Sequence, residues 1–159
     1  MADIVITGIG MVSPLGADTK TSWQNLKGGL SGIKAIKQIQ ALDLPVRFGG
    51  EIANSTDEAN GFDFDYLTAK EQRRMDRFIL FAIAAADEAI KQAGLTESPE
   101  IKNNAGTIIA SGIGGLHVMS EAAVATHQSP PAKITPFTVP GFLANLAAGQ
   151  VSMRHGLKG

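Results

Sequence analysis

Between residues 75 and 93, Met75, Phe78, Ile79, Ala82, Ile83, Ala86, Ala89, Ile90 and Ala93 recur at the spacing of one helical face. Gly94 follows directly and supplies a stop. Leu80 and Phe81 fall off that stripe, so this helix is expected to be covered on more than one side, and its alanines permit a close neighbour. Residues 3–9 have a different pattern, β-branched and almost continuously apolar, which predicts a strand buried on both faces of an α/β sheet, and residues 105–110 read as a second strand. A short helix is predicted over residues 21–27, with Trp23 and Leu26 inward and Gly28-Gly29 as its end. Residues 46–52 read as a short strand and residues 54–65 as an exposed connection. Helices are predicted over 116–127 and 142–153. Pro130, Pro131, Pro136 and Pro140 make residues 128–140 a rigid loop. There is no internal repeat and no low-complexity tract.

Composition narrows the class. At 159 residues the chain fits one domain with a sizeable core, and 44% apolar with 18% charged residues is ordinary globular usage. A formal net charge of −1 leaves no nucleic-acid footprint, so any electrostatic partner must be met by a local patch. The first residues lack the basic-then-apolar order of a signal peptide. The longest apolar run, residues 78–86, is far short of a bilayer span, so no membrane association is expected. The absence of cysteine excludes disulfides and thiolate metal sites and fits a cytoplasmic location.

Several motifs fail on inspection. Gly8-Ile9-Gly10 after a strand hints at a dinucleotide loop. Ser13 stands at the third glycine position, however, and Pro14 follows, which favours a structural turn. Ser111 follows a strand, but Ile109 occupies the first glycine position of a hydrolase elbow; a tight turn with close approach at Gly112, Gly114 and Gly115 is the plainer reading. His117, His127 and His155 lack ligand spacing and read as surface or capping residues, and Asp63 and Asp65 have no base beside them. No metal and no cofactor is expected. Lys70, Arg73 and Arg74 stand three and four apart, which predicts one cationic helix face suited to an acidic partner or simply to solvent.

Four stretches in order carry a resemblance: Val5-Ile6-Thr7-Gly8-Ile9-Gly10-Met11-Val12-Ser13-Pro14-Leu15-Gly16, Leu30-Ser31-Gly32-Ile33, Lys70-Glu71-Gln72-Arg73-Arg74-Met75-Asp76-Arg77-Phe78 and Ser111-Gly112-Ile113-Gly114-Gly115. Ile134-Thr135-Pro136-Phe137-Thr138-Val139-Pro140 and Gly156-Leu157-Lys158-Gly159 extend it. Together they resemble the N-terminal part of the β-ketoacyl-acyl-carrier-protein synthases, most closely the elongating type II branch. The resemblance implies an incomplete thiolase-like α/β fold, the N-terminal part of an α-β-α-β-α layering, with residues 1–159 an N-terminal segment of the ketosynthase N-terminal domain. It implies a homodimer and acyl carrier protein as partner.

In that family a cysteine at a helix N-terminus takes the acyl chain as a thioester, and malonyl carrier then condenses on it with loss of carbon dioxide. The cysteine, two histidines and a lysine of that site are expected beyond residue 159, so no catalytic residue is assigned here and the isolated chain is expected to be inactive. Three other sets are implied. Lys70, Arg73, Arg74 and Lys133 match positions that meet the acidic helix of the carrier. Ile113 matches an acyl-pocket residue. Phe137 and Thr138 match a loop reaching towards the partner subunit's pocket, with Thr138 where the family often has an aromatic. Alternatives are a non-catalytic carrier-binding and dimerisation module, or an oxidoreductase using the Gly8 loop. Missing sheet partners would leave residues 3–9 and 105–110 with exposed edges.

Overall fold

The longest helix, α3 (Arg77–Ala93), organises the rest. The computed structural model describes residues 3–36, 39, 44–95, 98–128 and 134–159. Before α3 come α1 (Thr19–Lys27), β1 (Ile33–Ala35), β2 (Phe48–Gly50), a 3-10 turn (Phe64–Tyr66) and α2 (Ala69–Gln72). After it come α4 (Pro99–Asn104), α5 (Leu116–Gln128), α6 (Thr138–Phe142) and α7 (Leu146–His155). Strands β1 and β2 pair antiparallel in the register Ile33 with Gly50, Lys34 with Gly49 and Ala35 with Phe48.

The predicted apolar stripe supplies Ile79 and Ile83 to the core, with Met75, Phe78, Ala82 and Ala86 packed against it. Ile79, Leu80, Ile83 and Ala84 of α3 are buried, and α3 packs against α7 through Ala147 and Val151. Leu80 is buried beside the stripe, as a helix covered on two sides requires. Gly94 ends α3 in the left-handed region at φ 63°, where its amide donates to the Ile90 and Lys91 carbonyls. Phe62, Phe64, Tyr66 and Phe81 form an aromatic cluster with ring centroids 5.5–6.0 Å apart, mostly edge to face. Residues 54–65 are therefore more than an exposed connection. Phe62 is buried, and its amide and carbonyl bond back to Ala53 and Ser55.

Residues 3–9 and 105–110 depart from expectation. Neither joins a strand ladder among the described residues, and residues 3–9 are not buried on both faces. Ile4 is fully exposed and Ile108 is 98% exposed. From Gly8 to Val12, and again over residues 105–110, exposure alternates residue by residue. That is an extended chain with one side covered. The covering layer for the first segment is α3 itself. A Cβ on Gly8 would lie 2.1 Å from the Ala89 carbonyl oxygen, and one on Gly10 would lie 1.8 Å from that of Ala85. The two glycines and two alanines thus bring backbone against backbone, and Gly8-Ile9-Gly10 is a packing device for a helix. The Ile9 amide donates to Gln92 Oε1 at 2.6 Å and the Met11 amide to Glu88 Oε2 at 2.9 Å, so α3 side chains satisfy donors that a neighbouring strand would otherwise take.

Three helix expectations are corrected. Trp23 and Leu26 are each 56% exposed, whereas Ser22 is the buried residue of α1, held by the Gly16 carbonyl and the Ser13 hydroxyl. The last helix is two, α6 and α7, separated at Leu143, whose backbone is extended. Thr138 already begins α6, so the last three residues of the predicted loop belong to that helix, and Pro140 sits in its first turn where a missing N–H is harmless. Pro130 and Pro131 lie outside the described residues.

Candidate functional site

The segment around residue 74 is where the expected continuous helix breaks. Thr68 opens α2 with a reciprocal cap: its hydroxyl accepts from the Glu71 amide, and the Glu71 carboxylate accepts from the Thr68 amide. The Thr68 hydroxyl also donates to Glu71 Oε2 at 2.6 Å, and this bond first, the one from the Thr68 amide second, holds the Glu71 carboxyl below its ordinary range. After Gln72 the helix stops, and the Arg74 amide reaches only three residues back, to the Glu71 carbonyl at 2.9 Å. The chain restarts as α3 at Arg77. Arg73 and Arg74 therefore turn into a cleft between this junction, α5 and α6, while Lys70 stays exposed on α2 and does not line it. Arg73 and Arg74 thus stand just past the last residue of α2, the helix that carries Lys70.

The cleft has a volume of about 470 Å³. Arg73, Arg74 and Arg77 supply its positive charge, and Phe137 and Thr138 also line it. The Arg74 guanidinium lies 4.3 Å from the centroid of Phe137. The Arg77 guanidinium lies 4.3 Å from the centroid of Phe64. None of these three arginines meets a carboxylate within ion-pair distance among the described residues. Two carboxylates also line the cleft. Glu121 faces His117 on its own helix at 3.4 Å. Asp76 is only 7% exposed and accepts from the Val118 amide at 3.0 Å.

Asp76 fixes the floor. Although it stands at the N-cap position of α3, its side chain bonds none of that helix's amides. It reaches instead to the third residue of α5, where the helix N-terminus favours a negative charge. Its own amide donates to the Gly141 carbonyl at 3.1 Å. The Gly115 amide donates to the Phe142 carbonyl at 2.9 Å, and a Cβ on Gly115 would strike both Phe142 Cα and Asp76 Cβ. The close approach expected of the glycine turn is thus real at Gly114 and Gly115, and Gly112 faces open space. The sequence reading missed Asp76. An aspartate before an apolar run signals a helix start, but a bond to a residue 42 positions away leaves no local trace.

Of the other assigned positions, Ile113 sits at the tip of the glycine turn, 68% exposed and away from the cleft lining. Lys133 lies outside the described residues. The histidines also separate. His117 is a surface pair, but His155 is partly buried and its Nε2 lies 2.6 Å from Asp87 Oδ1, so it is more than a capping residue. Asp87 also receives the Tyr66 hydroxyl at 2.6 Å and Arg154 Nε at 3.0 Å. Tyr66 is 42% exposed, and the partial desolvation of its hydroxyl, then the bond to Asp87, push that hydroxyl up to about 12. No group of three or more potential metal ligands occurs among the described residues. No helix there is long and apolar enough to cross a membrane.

Comparison with known proteins gives this geometry its context. Residues 1–159 match the family model for the β-ketoacyl synthase N-terminal domain. The chain is 43% identical over 161 residues to 3-oxoacyl-[acyl-carrier-protein] synthase 2 of Rhizobium meliloti (strain 1021), covering 100% of this chain and 38% of that protein. It is 40% identical over 156 residues to the protein of that name from Staphylococcus aureus (strain COL), covering 98% and 36%. A solved β-ketoacyl synthase from Burkholderia phymatum STM815 superposes with a TM-score of 0.78 at 22% identity, over 100% of this chain and 38% of that one. A type II PKS acyl-carrier protein in complex with its ketosynthase superposes at 0.68 with 20% identity, over 96% and 40%. The chain thus spans less than two-fifths of the length of the curated relatives it matches. The α/β framework is the N-terminal part of the thiolase-like ketosynthase fold. By the match of its whole length to that N-terminal domain model, the chain belongs to the β-ketoacyl synthase family.

Proposed function

We propose that the chain is the N-terminal portion of a β-ketoacyl-acyl-carrier-protein synthase. Such an enzyme elongates carrier-bound fatty acyl chains by decarboxylative condensation with malonyl carrier. One observation carries the carrier-binding half of this reading: Arg73 and Arg74, without carboxylate partners among the described residues, share one cleft with Phe137 and Thr138. Fixed guanidiniums suit carboxylates, because their N–H forks match both oxygens. Charges at such a rim steer an acidic partner and make binding salt-dependent more than they hold it. Lys70 on the neighbouring α2 and Lys133 extend the proposed carrier-binding set; Ile113, Phe137 and Thr138 form the proposed acyl-pocket set. We further propose a homodimer in the cytoplasm, with residues 1–159 as one N-terminal segment.

The chemistry of the family rests on a thiolate nucleophile, and this chain has no cysteine. The 159 residues by themselves are therefore assigned carrier docking and pocket-wall roles. With acyl and malonyl carriers they should form no condensation product, and robust condensation would overturn this assignment. Reversing Arg73 and Arg74 to glutamate should abolish salt-sensitive binding of acyl carrier protein, measured by anisotropy at low and high ionic strength. Unchanged affinity would leave the cleft without a carrier-binding role.

The second reading, a non-catalytic binding and dimerisation module, shares the same cleft and the same absence of cysteine. It predicts carrier binding with no gain of condensing activity in any longer form of the protein.

A further inference from the structure

We propose that Arg77, stacked on Phe64, is a further carrier-contacting residue and marks the edge of the surface that receives an acidic helix. The inference rests on the carrier-docking reading above and adds a residue that reading does not assign. Three observations carry it. The Arg77 guanidinium is 4.3 Å from the Phe64 centroid, at the same separation as Arg74 over Phe137. A cation held over a ring keeps its N–H edges available, and a planar guanidinium so held loses less freedom on gaining a carboxylate. Arg77 lines the same cleft as Arg73 and Arg74, is exposed, and has no ion-pair partner among the described residues.

The third observation fixes the direction. On its other side Arg77 lines a second hollow that contains Glu51, Asp57 and Glu58. Lys34 answers one of these, Glu58, at 2.6 Å. An acidic helix lying along the arginines would meet like charge if it slid past Arg77 towards that hollow. Arg77 therefore stands on a boundary between an attracting and a repelling face, and such a boundary sets register. The ring supporting it is itself held edge to face against Phe62 and Phe81. Its orientation is fixed by the core and not by solvent.

The test uses the whole protein and purified type II acyl carrier protein as the probe, with affinity read by anisotropy across a salt series. Arg77→Gln should weaken binding about two- to five-fold at low salt and flatten the salt slope. Arg77→Lys keeps the charge but loses the stacked fork, and should fall between wild type and Arg77→Gln. Glu51→Gln, which leaves the arginines intact, should relax discrimination and bind equally or more tightly. Arg73→Glu serves as the reference for the docking reading. If Arg73→Glu weakens binding and Arg77→Gln matches wild type, the role of Arg77 is overturned while carrier docking stands. If neither changes affinity, the docking reading itself fails. Coincident thermal melts for the exposed Arg77 variants separate these outcomes from misfolding.

Discussion

The carboxylate of Asp76 accepts the Val118 amide hydrogen at 3.0 Å, joining the start of α3 to the first turn of α5 across 42 positions of sequence. The bond is nearly buried, and its donor is one of the orphan amides that every helix N-terminus presents. Because the Asp76 amide simultaneously holds the Gly141 carbonyl, one residue pins three segments that meet at the cleft.

Removing that carboxylate should be costly. Asp76→Ala is expected to lower the free energy of unfolding by about 1–3 kcal/mol, combining a lost cap with a buried amide left unsatisfied. Asp76→Asn keeps an accepting oxygen and should cost less. Urea denaturation of the three proteins gives the order, and an alanine variant as stable as wild type would refute the pinning role.

Gly10 and Gly112 make a matched pair of opposite sensitivity. A methyl group on Gly10 collides with the Ala85 carbonyl, whereas one on Gly112 meets nothing within 4 Å. Gly10→Ala should destabilise by about 1–3 kcal/mol through forced separation of the backbone from α3. Gly112→Ala should stay within about 0.5 kcal/mol of wild type. Thermal melts of the two variants are sufficient to compare them.

Tyr66 is the only tyrosine, so alkaline difference absorbance reads one group. Its midpoint should lie near 12, against an ordinary value of 10.0. Burial is the leading cause, so Asp87→Asn should bring the midpoint only part of the way back. The fold favours the neutral hydroxyl, and the raised value has a definite sign. This contribution to stability is complete below pH 10 and is lost as pH rises from there through about 12. A midpoint of 10 in the folded protein would show that neither desolvation nor the Asp87 contact acts on the hydroxyl.

The Arg74–Phe137 stack is open to a double-mutant cycle. Arg74→Gln and Phe137→Leu should each be mild, with a coupling of about 0.5–1 kcal/mol in unfolding free energy. Additive effects would mean that the ring does not hold the guanidinium in solution.

Legibility followed range. The α3 stripe and its Gly94 terminator were readable because both are local: spacing selects the buried face, and one left-handed residue ends it. Trp23 and Leu26 misled because apolar character was taken for inwardness, yet a face is buried only where another element covers it, and Ser22 faces that cover. Residues 3–9 carried the pattern of a two-sided strand, but the structure covers only one side, so Ile4 stands in the open. At the cleft, the residue types were legible and their company was not. Arg73 and Arg74 could be picked out as cations, but the end of α2 at Gln72 and the approach of Arg74 to Phe137 could not. Asp87 gathers Tyr66, Arg154 and His155 from 21, 67 and 68 positions away, a distance no spacing rule spans.

Helix α3 has 17 residues and is therefore about 25 Å long. Gly8 and Gly10 touch it between its midpoint and its C-terminal end, at Ala89 and Ala85, and the Asp76 bonds to Val118 and Gly141 hold its opposite end, where Arg77 emerges. A rod clamped at two stations cannot pivot about either, so the bearing of Arg77 is set by both anchors together.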